Sequence, residues 1–362
     1  MTFKPYHVEN GTRTSRFSSE VQDSTYRSAV MKVAVVGTNG LAQYIANCLA
    51  TETSHQFVIL SRTRNPGLIA KGWQVLQVDY SSQADLQFKL AGVDTVISTI
   101  SGNPQLALID AAAAVHVRRF VPSEFCGPPP SLYMPSPSPS PPPHGLPVDN
   151  ERHAAALQRL SQLESQPNGM TFTVFTCGIF YERFAPGGLA ASQIGLTNNN
   201  DIAHEGAYLM DFRRRTAQIP FAVDVTATGG GGGPGPATIC MTAARDVARF
   251  VIAALELPVW PREFRFCGER MTVREVVAIA ESIQGRPFEI SGHTISSLHD
   301  ALTYARAVGD RGREIRIQQL IATAEGRYDF ADMNLHPPLV PVWPERFRDW
   351  LARVWSSQGP RT

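Results

Sequence analysis

The chain has 362 residues and a formal net charge of +1, with 43% hydrophobic and 18% charged residues. That composition belongs to a folded globular protein of one large or two modest domains. The near-zero charge removes any electrostatic reason to expect nucleic acid or an acidic membrane as partner, and no apolar run reaches the roughly 18 residues of a membrane span.

Residues 1–30 are polar and rich in Ser, Thr and Arg, and Glu9, Glu20 and Asp23 argue against a transit peptide. They read as a disordered extension. Residues 33–36 (VAVV) then form a short apolar run that stops at Gly37, as a strand buried on both faces does. Helical sequence follows over 41–50. Further strands are predicted at 57–60, 73–78, 94–98, 119–121 and 172–176, with a helix over 104–115. Strands alternating with helices imply right-handed βαβ units and a doubly wound parallel sheet of the Rossmann type, spanning 31–178. In such a sheet the ligand lies beyond the carboxyl ends of the strands. Gly37, Arg62, Asp79, Gly102, Ser123 and Cys177 each fall at or just after a strand end.

Two segments are of low complexity. Residues 128–147 are dominated by Pro and Ser, and residues 228–236 by Gly. Both read as insertions into surface connections, where added length costs little. From 179 to 362 the pattern becomes irregular, then helical. Helices are predicted at 243–255, at 272–284 behind a Thr272–Glu275 capping box, at 295–307 and at 344–355. This half reads as a smaller, mostly helical substrate-binding lobe that covers the strand ends.

The five cysteines, Cys48, Cys126, Cys177, Cys240 and Cys267, are scattered and form no Cys-x-x-Cys pair. A reduced, cytoplasmic setting without a disulfide framework is expected. No metal-ligand spacing, P-loop or Gly-x-Ser-x-Gly elbow occurs.

Residues 37–40 (GTNG) lie between a buried strand and a helix, where the backbone turns tightly and a helix N-terminus can hold a diphosphate. Gln43 stands where a third glycine would complete the motif. The next strand ends at Arg62 with no carboxylate at its tip. NAD sites place an acid there, whereas a cation accommodates a 2′-phosphate, so Arg62, aided by Arg64, points to NADP(H). Asp79 is expected near the adenine.

Residues 33–40, 60–62 (LSR), 93–98 (VDTVIS) and 119–125 (RFVPSEF) occur in an order that resembles the NmrA-like family of atypical short-chain dehydrogenases, which includes isoflavone reductase-like enzymes. The segments 175–180, 246–249, 206–211, 268–272 and 324–330 extend the resemblance to about residues 31–355 and towards a fungal CipA-like branch. The resemblance implies that Gly37, Thr38, Asn39, Gly40 and Leu41 contact the diphosphate and that Arg62 holds the 2′-phosphate. It implies that the stretch containing Ser98, Ser101 and Gly102 passes the nicotinamide ribose. Pro122, Ser123 and Phe125 would border the nicotinamide, with Cys177 and Phe180 opposite.

The Tyr-x-x-x-Lys pair of most short-chain dehydrogenases is missing, since the lysines are Lys4, Lys32, Lys71 and Lys89 alone. The reductases that this chain resembles carry a general-acid Lys early in the helix after the PSEF strand. Here that region offers Arg152 and His153. Arg152 can stabilise an anion but cannot release a proton, whereas His153 can do acid or base work near neutral pH. Tyr181 and Tyr208 are alternative acids. The leading expectation is an NADPH-dependent reductase of an aromatic or polyketide-like small molecule. The alternatives are a non-catalytic NADP(H) sensor acting on a regulatory protein partner, and a scaffold that has lost its cofactor.

Overall fold

The computed structural model describes residues 30–129, 148–194, 202–222 and 235–356, with the backbone alone for 148–152. The polar extension before residue 30, the Pro/Ser-rich stretch 130–147 and most of the glycine run 228–236 lie outside the described residues.

The first half alternates strand and helix: β1 (Lys32–Val36), α1 (Gly40–Glu52), β2 (Gln56–Ser61), α2 (Pro66–Ile69), β3 (Val75–Gln77), α3 (Gln83–Leu90), β4 (Thr95–Ser98), α4 (Asn103–Ala114), β5 (Arg119–Val121), α5 (Val148–Glu164) and β6 (Thr171–Phe172). These strands form one parallel sheet in the order β3-β2-β1-β4-β5-β6. The order reverses between β1 and β4, the topological switch point of a Rossmann sheet.

The reason lies in β1. Its residues 33–36 are all fully buried, and successive side chains enter opposite faces. Val33 and Val35 pack into one core with Ile45, Leu49 and Phe250. Ala34 and Val36 pack into another with Leu86, Leu108 and Leu157. Helices therefore cover both faces of the sheet.

The second half contains β7 (Val174–Thr176), β8 (Ile179–Phe180), α6 (Gly188–Ala191), β9 (Met210–Asp211), β10 (Thr216–Pro220), β11 (Thr238–Thr242), α7 (Ala244–Leu255), β12 (Glu263–Arg265), β13 (Glu269–Thr272), α8 (Val273–Gln284), β14 (Glu289–His293), α9 (Ile295–Ala307), α10 (Arg311–Ala324) and α11 (Phe347–Ser356). Helices α8 to α11 share a core with two small sheets, β14-β10-β9 and β13-β11-β8. Strands this short carry little periodicity, so the sequence showed only the helices. The capping box of α8 forms in full, with Thr272 and Glu275 satisfying each other's backbone N–H groups.

Not all of the segment 179–362 belongs with this lobe. Helix α7 packs on α1, and Val247, Phe250 and Val251 enter the core shared with β1. Strand β12 pairs in parallel with β7. The predicted strand 172–176 thus divides. Its first residue, Phe172, pairs with β5 and its last three carry the layer on to β12. Among the described residues no helix is long and apolar enough to cross a membrane.

Phe175 sits at this junction, fully buried, with ring centroids 5.4 Å from Phe264 and 6.3 Å from both Phe125 and Phe266. Phe175→Ala should cost about 3–5 kcal/mol, read as a lowered midpoint in urea unfolding followed by tryptophan fluorescence. An unchanged midpoint would show that β12 does not depend on this aromatic cluster.

Candidate functional site

The switch-point crevice is built from two loops that hold each other. Gly37 donates its N–H to the Leu60 carbonyl at 3.0 Å. Asn39 caps α1 by accepting from Ala42 N at 2.9 Å, while its amide donates to the Thr99 carbonyl at 3.0 Å. Thr99 returns a hydroxyl bond to the Val36 carbonyl at 2.9 Å. The glycine turn and the loop after β4 are therefore one rigid unit. Ser98 is buried and its Oγ donates to the Ile100 carbonyl at 3.1 Å. Ser101 is exposed, and Gly102, with φ 75°, opens α4. Leu41 turns its side chain into the core, so only its backbone is available to a ligand.

A second segment approaches this unit from the other lobe. The Gly40 N–H donates to the Gln193 carbonyl at 2.9 Å, and a Cβ on Gly40 would lie 1.8 Å from the Ser192 carbonyl oxygen. Only glycine fits at that approach. Gln43 completes the contact: its amide donates to the Thr38 carbonyl at 3.1 Å and lies 3.4 Å from Gln193 Oε1. The residue that breaks the glycine motif thus ties the turn to the segment across it.

Arg62 lines an open cleft of about 660 Å³ with Gln77, Asp79, Tyr80, Ser81 and Pro104. It is exposed and makes no ion pair among the described residues. Asp79 accepts from the Ser81 hydroxyl at 2.6 Å and from its N–H at 2.9 Å, which holds its carboxyl below the ordinary range. Asp79 shapes the turn at the end of the cleft. Burial pushes the Tyr80 hydroxyl up to about 12, so it stays a neutral donor at that wall.

The end of β5 supplies the third part. Ser123 N–H donates to the buried Gln105 side chain at 2.8 Å. Glu124, its carboxyl largely covered, pairs with Nδ1 of His153 near the start of α5. A carboxylate on Nδ1 fixes the ring's orientation. Phe125 is buried against Phe175. The side chain of Arg152 lies outside the described residues.

The tyrosine candidates separate. Tyr181 is fully buried in the lobe core against Phe347 and Trp350, and its hydroxyl donates to the Glu345 carbonyl at 3.2 Å. Its side chain lines neither the Arg62 cleft nor the smaller cavity beside Phe125. Tyr208 does line a cavity, of about 130 Å³, together with Phe125, Cys126, Phe180, Arg183 and Tyr328. Its hydroxyl is engaged with Thr323 Oγ1 at 2.7 Å. Cys177 is buried directly behind, its thiol pushed up by burial.

Glu124, Arg183, Gln193 and Tyr328 are the residues that the sequence did not single out. Glu124 could have been found, since it stands inside the PSEF stretch. The other three are brought in by tertiary packing. Arg183 lies on a 3-10 turn (Tyr181–Phe184) anchored by Glu182, whose carboxyl accepts from Ala244 N at 3.0–3.1 Å with both oxygens. Burial, above all, pushes that carboxyl up to about 7.

Residues 37–164 match a protein family described as NAD(P)H-binding, and that stretch is an NAD(P)H-binding domain. The chain is 28% identical over 343 residues to "Oxidoreductase BOA1" of Botryotinia fuckeliana, covering 88% of this chain and 100% of that protein. Similar solved structures include AtPrR2 with NADP+ and (+)pinoresinol, with TM-score 0.64, 17% identity and coverage of 90% of this chain and 99% of that one. Leucoanthocyanidin reductase of Vitis vinifera has TM-score 0.60, 16% identity and coverage of 89% and 98%. The fold expected from the sequence motifs is the fold of these solved structures.

The raised Glu182 carboxyl sets a pH dependence. Folding holds its proton where the unfolded chain releases it, so this contribution is complete at low pH. It declines as pH rises from the ordinary 4.5 to about 7. Glu182→Gln keeps an acceptor for Ala244 N and should remove that decline, leaving the variant more stable at pH 8 by on the order of 2–3 kcal/mol. Urea titrations of both proteins at pH 5 and pH 8 check this; a difference that does not change with pH would refute it.

Proposed function

We propose that the chain, with residues 37–164 as its NAD(P)H-binding domain, is an NADPH-dependent reductase of an aromatic or polyketide-like small molecule. The observation that carries the cofactor choice is Arg62, an exposed guanidinium without an ion pair among the described residues, in a cleft where a ribose 2′-phosphate would enter. A guanidinium fork matches phosphate geometry. The opposite specificity would want an acid at that strand end. That leucoanthocyanidin reductase is a reductase by name, and that AtPrR2 was solved with NADP+ and (+)pinoresinol, supports the reaction class.

When bound, the nicotinamide supplies the hydride. The protein's own work is to orient and to move a proton. The Asn39–Thr99 and Thr99–Val36 bonds fix the turn that receives the diphosphate. His153 is the proton donor in this reading. Glu124 holds Nδ1–H, so the exchangeable proton of the imidazolium is the one on Nε2. The pair replaces the lysine that related reductases carry in this helix. The lobe, rich in Phe, Tyr and Met, receives the substrate at the 130 Å³ cavity.

One observation favours a second reading, an NADP(H) sensor for a protein partner. The Gly40 N–H is bonded to the Gln193 carbonyl, so a diphosphate that took this donor would displace the segment and change the surface there.

Two outcomes test the first reading. Arg62→Glu should weaken NADPH at least tenfold, about 1.4 kcal/mol, while leaving NADH nearly unchanged in calorimetric titration. Equal losses for both dinucleotides would remove the 2′-phosphate argument. With a substrate in hand, His153→Gln should lower kcat by about 10²–10⁴ without changing NADPH affinity, and Glu124→Gln should do so less severely. Full turnover in His153→Gln would assign the proton to another group.

A further inference from the structure

The cavity between the two lobes is chemically one-sided. Its walls are mostly apolar or aromatic, from Phe125, Phe180 and Leu189 to Tyr208 and Tyr328. Arg183 is the single residue with a formal charge among those lining it, and no carboxylate lines it. Among the described residues Arg183 makes no ion pair. Its contacts are a long bond of 3.4 Å to the Ile202 carbonyl and the face of the Tyr208 ring at 5.2 Å. A half-buried guanidinium without an anion is costly unless something completes it.

Two further groups in the same wall lack partners. Gln319 Oε1 is buried without a hydrogen bond. The Tyr328 hydroxyl makes no side-chain hydrogen bond among the described residues, although its backbone carbonyl is fixed by Cys240 N–H at 2.7 Å. Burial pushes that hydroxyl up to about 12, which keeps it a neutral donor. The cavity measures about 130 Å³, against the ~150 Å³ that holds a benzene ring.

Resting on the reductase reading for where the substrate enters, we propose that this cavity receives a single flat six-membered ring bearing a carboxylate, with Arg183 as the carboxylate's partner. The guanidinium offers a planar fork that suits two oxygens. Tyr328 O–H is placed as an additional donor to the same group, and Gln319 Oε1 as the acceptor for a ring hydroxyl. The aromatic walls exclude water and strengthen the ion pair. Phe125 lines the cavity from the loop after β5 and supplies a flat apolar face for the ring.

Benzoate and benzamide have the same shape and differ in charge, so they isolate the contribution of Arg183. Each is titrated calorimetrically into the full chain, the Arg183→Met variant and the Arg183→Lys variant, with NADPH titrated in parallel. Benzoate should bind the unaltered chain at least tenfold more tightly than benzamide. Arg183→Met should abolish that preference, and Arg183→Lys should keep part of it. Equal affinity for the two probes in the unaltered chain overturns the proposal even if a variant fails to fold, and so does an undiminished preference in Arg183→Met. The parallel titration separates the two readings. NADPH binding without a benzoate preference removes the ring-acid proposal alone, whereas a benzoate preference without NADPH binding removes the reductase reading alone.

Discussion

Both halves of the molecule depend on Gly178. The chain leaves β7, which pairs with β12 beyond the edge of the large sheet, and must turn at once into β8 of the second lobe. The Cys126 carbonyl accepts from both Cys177 N at 3.0 Å and Gly178 N at 3.1 Å, which locks the turn to the loop after β5. Gly178 takes φ 72°, and a Cβ there would lie 2.1 Å from the Cys240 carbonyl oxygen. No side chain fits. This close approach lets the strand β11 lie against the end of the Rossmann layer, so the cavity between the lobes has walls from both.

A second seam runs beside it. Arg327 donates to the Pro128 carbonyl at 2.5 Å, and Gly127 lies against the Arg327 backbone. Together with β7–β12 pairing and the packing of α7 on α1, these contacts make the division between lobes a crossing of the chain rather than a single cut in the sequence. The site inherits that arrangement. The Arg62 cleft is lined from the segments that follow strands of one sheet. The smaller cavity is lined by a 3-10 turn, helices and loops that meet at the seam.

Charge is distributed accordingly. Glu182 faces inward and caps the first N–H of α7, where the helix dipole favours an acid even though burial holds its proton. Its neighbour Arg183 faces the cavity. Adjacent residues of one turn thus supply a structural anchor and a charged wall of the cavity. The imidazole of His153 pairs with Glu124, which sits one residue before the Phe125 wall of the cavity.

The sequence alone determined the Rossmann half. Four consecutive buried residues at 33–36, apolar runs at regular intervals and a glycine turn before a helix admit one sheet, because a strand apolar on both faces must be covered on both. The places of Arg62 and His153 in the fold were legible for a similar reason: one follows a strand end and the other lies near a helix start. The small sheets were not legible, since strands of two to five residues carry almost no periodic signal. Nor was the fate of Tyr181 or Tyr208, because whether a phenol lines a cavity or fills a core depends on what packs around it. The cover at Gly40, the Glu124 pairing, and the meeting of Arg183, Gln319 and Tyr328 joined residues that lie far apart in the chain, Gly40 and Gln193 being the most distant pair. Only tertiary structure could decide them, because no local rule relates residues that become neighbours through a turn at a single glycine.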